Sequence, residues 1–247
     1  MKRMVSRFKN GVTSFLEGIK LLKNDKNMRA LGIVPALMSL TLFTVGLVVG
    51  MMYVDDILSW VIKANLNDYN VLLKSLVYVL SFILLGFILY FATFFVVSIL
   101  AIPVCTSLSQ KVLIESGYLS SAKKGLKENI FTFAKMLRVS LLKLGFILAI
   151  SAMLFIASFI PIISPIALYF SLMILTFDCM DYAMEHDEQG LRQRFKFFFS
   201  HWIEFSGFAL CMAVIVVIPF IHFILLPAAV LGSSVLYIRI QSAKKLK

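Results

Sequence analysis

Acidic side chains are rare in this chain, and over long stretches charge of either sign is missing. No charged residue lies between Arg29 and Asp55, Lys74 and Lys111, Lys143 and Asp178, or Glu204 and Arg239. About 20 apolar residues suffice to cross a bilayer core, so four such tracts make lipid the main solvent. Charged residues are 15% of the chain and hydrophobic ones 60%, whereas a soluble domain is near one quarter charged. In 247 residues the tracts leave no room for a separate soluble domain, and 1–247 reads as a single all-α membrane domain.

Other absences narrow the function. The three cysteines, Cys105, Cys179 and Cys211, are odd in number and scattered, which excludes a disulfide framework or a metal-ligand spacing. No Gly-Lys-Ser/Thr phosphate loop appears, so the chain does not hydrolyse ATP itself. The zinc-helix and nucleophile-elbow signatures are missing too. The chain thus reads as a non-enzyme with no cofactor. Apart from His222, the four tracts hold no ionisable group. Proton-coupled pumps commonly run on carboxylates or histidines within their spans, so solute movement would be passive or driven by an ion gradient. The boundary acids Asp178 and Asp181 stay open as participants.

What is present is basic. Twenty-four Lys and Arg against 13 acids give a formal net charge of +11. The cations flank the apolar tracts: eight lie in residues 1–30, seven in 105–143 and four after 238, while 55–74 holds two beside three acids. That placement fits anionic lipid headgroups rather than nucleic acid. It also sets a topology, with the N-terminus, 105–143, 178–202 and the C-terminus on the cytoplasmic side and 55–74 opposite. The first span would act as an uncleaved signal anchor, making this a multi-pass protein of a bacterial cytoplasmic (inner) membrane.

Along the chain, Val5, Phe8, Val12, Phe15, Ile19 and Leu22 recur at spacings of three and four. This predicts an N-terminal amphipathic helix over 5–23, lying in the membrane interface or packing on a partner. Residues 30–54 and 75–104 are two long transmembrane helices. Pro35 sits in the first turns of one, and Pro103 marks the exit of the other. Gly46 and Gly50 form a face that permits close helix contact. Residues 105–117 continue as an amphipathic helix with Leu108, Val112 and Leu113 on one side. The tracts 144–177 and 205–238 are each cut by two prolines, Pro161 with Pro165 and Pro219 with Pro227. Proline removes a helix hydrogen bond and clashes with the preceding turn, so each tract reads as a proline-broken helical hairpin. Several arms are short for a crossing, and the hairpins either re-enter or span.

Two places could handle an anion. Lys26, Asn27, Met28 and Arg29 precede the first span, where a helix start offers free N–H donors and Arg adds a charged fork; the alternative is that Lys26 and Arg29 anchor headgroups. The Pro219–Pro227 turn carries His222, an ionisable group within a tract, or else an imidazole that caps a helix end. Asp181, Tyr182, Arg192 and Arg194 read as a salt-bridged loop.

Taken together, Phe15-x-x-Gly18, Met28-Arg29, Pro35, Ala101-Ile102-Pro103, Asp181-Tyr182, Ile218-Pro219-Phe-Ile-His222 and Pro227-Ala-Ala-Val230-Leu-Gly232-Ser233 resemble the CysZ-like sulfate permeases, relatives of the etoposide-induced membrane proteins. The resemblance implies two long spanning helices, two hairpins dipping into the bilayer, homo-oligomers, and sulfate uptake for cysteine synthesis. It puts the anion at a Gly-Leu-Arg-Arg loop, here Asn27, Met28, Arg29 and Ala30. Asn27 stands for the Gly, and Asn tolerates unusual backbone angles. Ala30 stands for the second Arg, which removes a charge and weakens anion affinity. Ala183 stands where the family has Pro, and His222 where it has Asn. The rival reading is a membrane scaffold or stress-related factor without transport.

Overall fold

The computed structural model describes residues 2–53, 56, 71–119, 145–187, 189–216 and 221–245. Among them are eight helices and no strand: α1 Lys2–Asn24, α2 Lys26–Met52, α3 Val71–Glu115, α4 Gly145–Ser158, α5 Ser164–His186, α6 Leu191–Ser200, α7 Trp202–Val216 and α8 Ile221–Lys245. Four stretches are long and apolar enough to cross a bilayer: Lys26–Met52, Ser75–Glu115, Ser164–His186 and Leu225–Lys244. The chain is a multi-pass, all-α membrane protein. It divides into two compact units, Ile33–Ile102, and Met1–Gly32 with Pro103–Lys247.

The Ile33–Ile102 unit holds most of α2 and the first part of α3. Both are apolar on every side, as lipid-embedded helices are. Leu80, Ile83, Phe87 and Ile99 are all exposed; leaving such side chains in water would forfeit about 1.5–3 kcal/mol each. The two helices meet antiparallel. Leu89 seats on Gly46 and Leu85 on Gly50, so close that a Cβ at either glycine would lie 2.8 or 2.7 Å from a leucine methyl. The small face expected at Gly46 and Gly50 is therefore a helix contact. Hydroxyls on these helices turn inward to their own backbone, as Ser39 does to the Ala36 carbonyl at 2.8 Å, which satisfies them without water.

The other unit is a bundle built on α1, α5, α7 and α8 with the far end of α3. Helix α1 crosses α7 and α8 backbone to backbone. A Cβ on Gly11 would lie 2.1 Å from the Glu204 carbonyl oxygen, one on Gly207 2.1 Å from that of Phe8, and one on Gly18 2.2 Å from that of Ala228. Phe15 is buried and meets Phe208 edge-on at 5.2 Å. Only part of the apolar stripe of α1 is used this way: Met4, Val5 and Phe8 stay exposed. Leu108, Val112 and Leu113 are buried, on the amphipathic side expected of them.

Both hairpins form. Phe146 of α4 and Phe177 of α5 each touch the ring of Phe195, at 4.8 and 5.3 Å. The chain has therefore doubled back between them. The reversal is the turn 159–163, where Ile163 donates to the Ile160 carbonyl at 2.9 Å. Pro161 lies in this turn, and Pro165 in the first turn of α5, where its missing donor costs nothing. Helix α7 likewise lies against α8, since a Cβ on Gly232 would meet the Phe208 ring at 3.3 Å. Residues 217–220, with Pro219, lie outside the described residues.

Three prolines behave differently from expectation. Pro35 is ten residues into α2, Pro103 is inside α3, and Pro227 is inside α8. None of these helices stops there. Helix α3 runs 45 residues through Pro103, about 68 Å at 1.5 Å per residue. An interior proline costs a helix about 3 kcal/mol in water, but within a membrane protein neighbouring helices offset it. Pro227 shows this directly. It is buried, and a Cβ on Gly32 would touch its ring at 3.2 Å.

Candidate functional site

The start of α2 is built by one acid and one lysine from distant segments. Asp25 sits between α1 and α2. Its Oδ1 accepts the backbone N–H of Asn27 at 2.7 Å and of Met28 at 3.2 Å, while its carbonyl accepts Arg29 N–H at 3.0 Å. Asp is among the strongest N-cap residues because its oxygen satisfies donors that the first helical turn leaves free. Its Oδ2 takes an ion pair with the Lys111 ammonium on α3. Lys111 also has Glu115 at 3.7 Å, one turn along. The Lys111 bond, then the Met28 amide, holds the Asp25 carboxyl below its ordinary value.

The four residues expected to receive an anion are thus spread over different surroundings. Asn27, Arg29 and Ala30 are exposed. Met28 is 0% exposed and packs with Leu108, Val112 and Leu231, so it fastens α2 to α3 and α8. The amides of Asn27 and Met28 are held by Asp25. The Arg29 side chain has no acidic partner among the described residues. Lys26, at the same end of α2, likewise has no acidic partner among the described residues. A cavity of about 550 Å³ is lined by Glu17, Lys20, Asn24, Glu115, Ser116 and Arg239 together with apolar side chains. Arg239 is held by Glu17 at 2.5 Å and by the Ser14 hydroxyl at 3.0 Å.

Sequence reasoning missed Asp25 and Lys111. Asp25 carries a readable signal, an acid directly before a helix start. Lys111 carries none, since only folding brings it there.

The expected salt bridge at Asp181 is present and lies deep. Arg194 donates to Asp181 at 2.6 Å with side chains 1% and 5% exposed, and its Nε reaches the Gln189 carbonyl at 2.8 Å. Asp187 is a second tie point. It accepts hydrogen bonds from Tyr118 at 2.8 Å and from Tyr237, and so joins the end of α3 to α5 and α8. Burial, then the Asp187 bond, pushes the Tyr118 phenol up to about 12. A run of buried hydroxyls lies in the same bundle. Ser234 bonds Ser109 at 2.9 Å, and Ser233 donates to the Cys179 carbonyl at 2.8 Å. His222 falls in the first turn of α8, and its side chain is outside the described residues. No group of three His, Cys, Asp or Glu able to hold a metal occurs among the described residues.

Comparison with known proteins finds relatives along most of the chain. A family model described as "Sulfate transporter CysZ/Etoposide-induced protein 2.4" matches residues 14–227. The protein named "Sulfate transporter CysZ" from Pseudomonas fluorescens (strain Pf0-1) is 23% identical over 239 residues, covering 93% of each chain. Proteins of that name from Pseudomonas aeruginosa (strain LESB58) and Pseudomonas paraeruginosa (strain DSM 24068 / PA7) are each 24% identical over 237 residues. These cover 93% of this chain and 95% of theirs.

Proposed function

This chain belongs to the sulfate transporter CysZ/etoposide-induced protein 2.4 family, and from that premise we propose that it lets sulfate or a related oxyanion cross the bacterial inner membrane, supplying sulfur for cysteine synthesis. The observation that carries the reading is the extent of the match. It runs from α1 into α8, over residues 14–227, and the relatives named as sulfate transporters align along nearly their whole length. Those relatives are named as transporters, not as enzymes, and the scaffold reading is not favoured.

Arg29 receives the anion at the cytoplasmic start of α2, with Asn27, Met28 and Ala30 shaping the backbone around it. A guanidinium offers a planar fork of donors that suits an oxyanion, and Arg29 has no acidic partner among the described residues. The hairpin residues Pro161, Pro165, Pro219, His222 and Pro227 line or shape the route. Movement is passive or gradient-driven, because the apolar tracts hold no Asp or Glu to relay protons. Copies of the chain assemble as a homo-oligomer among membrane lipids.

Radiolabelled sulfate uptake into liposomes tests this. Liposomes holding the chain should take up sulfate faster than empty vesicles, and Arg29→Ala should cut that uptake at least about tenfold, the loss of one charge-assisted anion contact. Uptake no faster than in empty vesicles rejects the permease reading. Unchanged uptake by Arg29→Ala rejects the site.

A further inference from the structure

The donors at the start of α2 already hold an anion, and it belongs to the chain itself. One oxygen of Asp25 takes two backbone amides and the other takes the Lys111 ammonium. Two amides and an ammonium converging on one two-oxygen anion make the same set of donors that an oxyanion would use at a helix start. Arg29 lies next in sequence and has no acidic partner among the described residues. A free oxyanion drawn to Arg29 therefore meets neighbouring donors that are occupied.

We propose that Asp25 is a tethered competitor for the transported anion, and that it sets which anions this site admits. The inference rests on the permease reading for the identity of the substrate, and on this geometry for the competition. A group held by the backbone acts at an effective concentration in the millimolar range or above, so a weakly bound anion does not dislodge it. An incoming anion gains the amides and Lys111 only by carrying more charge or more acceptor atoms than one carboxylate. A tetrahedral dianion meets that requirement, and a monoanion such as nitrate does not. The cavity beside the pair gives the incoming anion a way in, because Asn24 directly precedes Asp25 and Glu115 lies one turn beyond Lys111, and both line it. On displacement Lys111 keeps Glu115 in reach, 3.7 Å away.

Asp25→Asn is the informative change. Asn caps a helix about as well as Asp, so the start of α2 is kept while the competing charge is removed. Glu115→Gln is the control: it removes a charge beside the same lysine but leaves Lys111 paired with Asp25. The full chain in lipid nanodiscs is titrated with sodium sulfate and with sodium nitrate by calorimetry. Asp25→Asn should bind sulfate about tenfold more tightly and nitrate by at least the same factor, while Glu115→Gln stays within about twofold. In the unaltered chain, sulfate should also produce an infrared difference band from a carboxylate losing its hydrogen bonds, and the band should vanish in Asp25→Asn. Equal or weaker sulfate binding by Asp25→Asn, or equal tightening by Glu115→Gln, overturns the proposal. So does the absence of the carboxylate band. Calorimetry tests the competitor whether or not the chain conducts. Flux with an unchanged Asp25→Asn affinity removes the competitor alone, and tightening without flux removes the permease alone.

Discussion

At the scale of single residues, charge is placed where a second charge answers it. Asp25 illustrates the consequence for stability. Lys111 and the Asn27 and Met28 amides favour its ionised form, which lowers its carboxyl value in the folded protein. Its contribution to stability is then fully present above the ordinary carboxyl value of 3.8 and is lost as pH falls through the lower folded value. Thermal unfolding followed from pH 7 to pH 3 should show a midpoint that drops more steeply at the acid end for the unaltered chain than for Asp25→Asn. Parallel curves would mean that Asp25 is not held by Lys111; Glu115, which faces the same lysine, is the second carboxyl to vary. Arg194 and Asp181 show how much of this level the sequence discloses. Their spacing announces a salt bridge, but a loop at the interface and a pair shut inside a bundle look alike in one dimension. The difference matters, because removing one member of a buried pair costs about 3–5 kcal/mol. Lys111 was not legible at all, since it is 86 residues from Asp25 and its role depends on how α3 folds back toward α2.

At the scale of the helix, glycine decides how closely elements approach. Gly18 lies against the backbone of α8, with no side chain to yield if a methyl is added. Gly18→Ala must push α1 off α8, and overpacking of this kind costs about 1–3 kcal/mol. Gly86 has nothing within 4 Å, so Gly86→Ala meets no obstacle and gains the better helix propensity of alanine, up to about 1 kcal/mol. Thermal unfolding in detergent should place the first variant below the unaltered chain and the second at or above it; the reverse order would show that the crossing at Gly18 is loose. The hairpins were legible because Pro161 and Pro165 interrupt a charge-free tract near its middle. Pro35, Pro103 and Pro227 carry the same local signal and end nothing. A proline reports a missing hydrogen bond, and only the packing around it decides whether the helix continues.

At the scale of the whole molecule, the basic-residue bias predicts which segments face which side. Impermeant maleimide applied to oriented vesicles should label Lys9→Cys and Lys196→Cys from one side and Asp56→Cys from the other, after Cys211 is replaced. Buried Cys105 and Cys179 should stay silent. Labelling of all three positions from the same side would remove the two-crossing topology. The class of the protein and its four apolar tracts were plain in composition alone, because excluding charge from long runs has few other causes. The arrangement of α1 was not, since amphipathic spacing serves a lipid surface and a protein groove equally well. That helix has a further consequence for how the protein is made. Arg7 is bonded to Glu204, a partner 197 positions later. At translation speeds of 5–20 residues per second, roughly 10–40 seconds pass before α7 emerges from the ribosome. Through that interval α1 waits without the helix it will pack on, its apolar stripe left to whatever greasy surface is nearest.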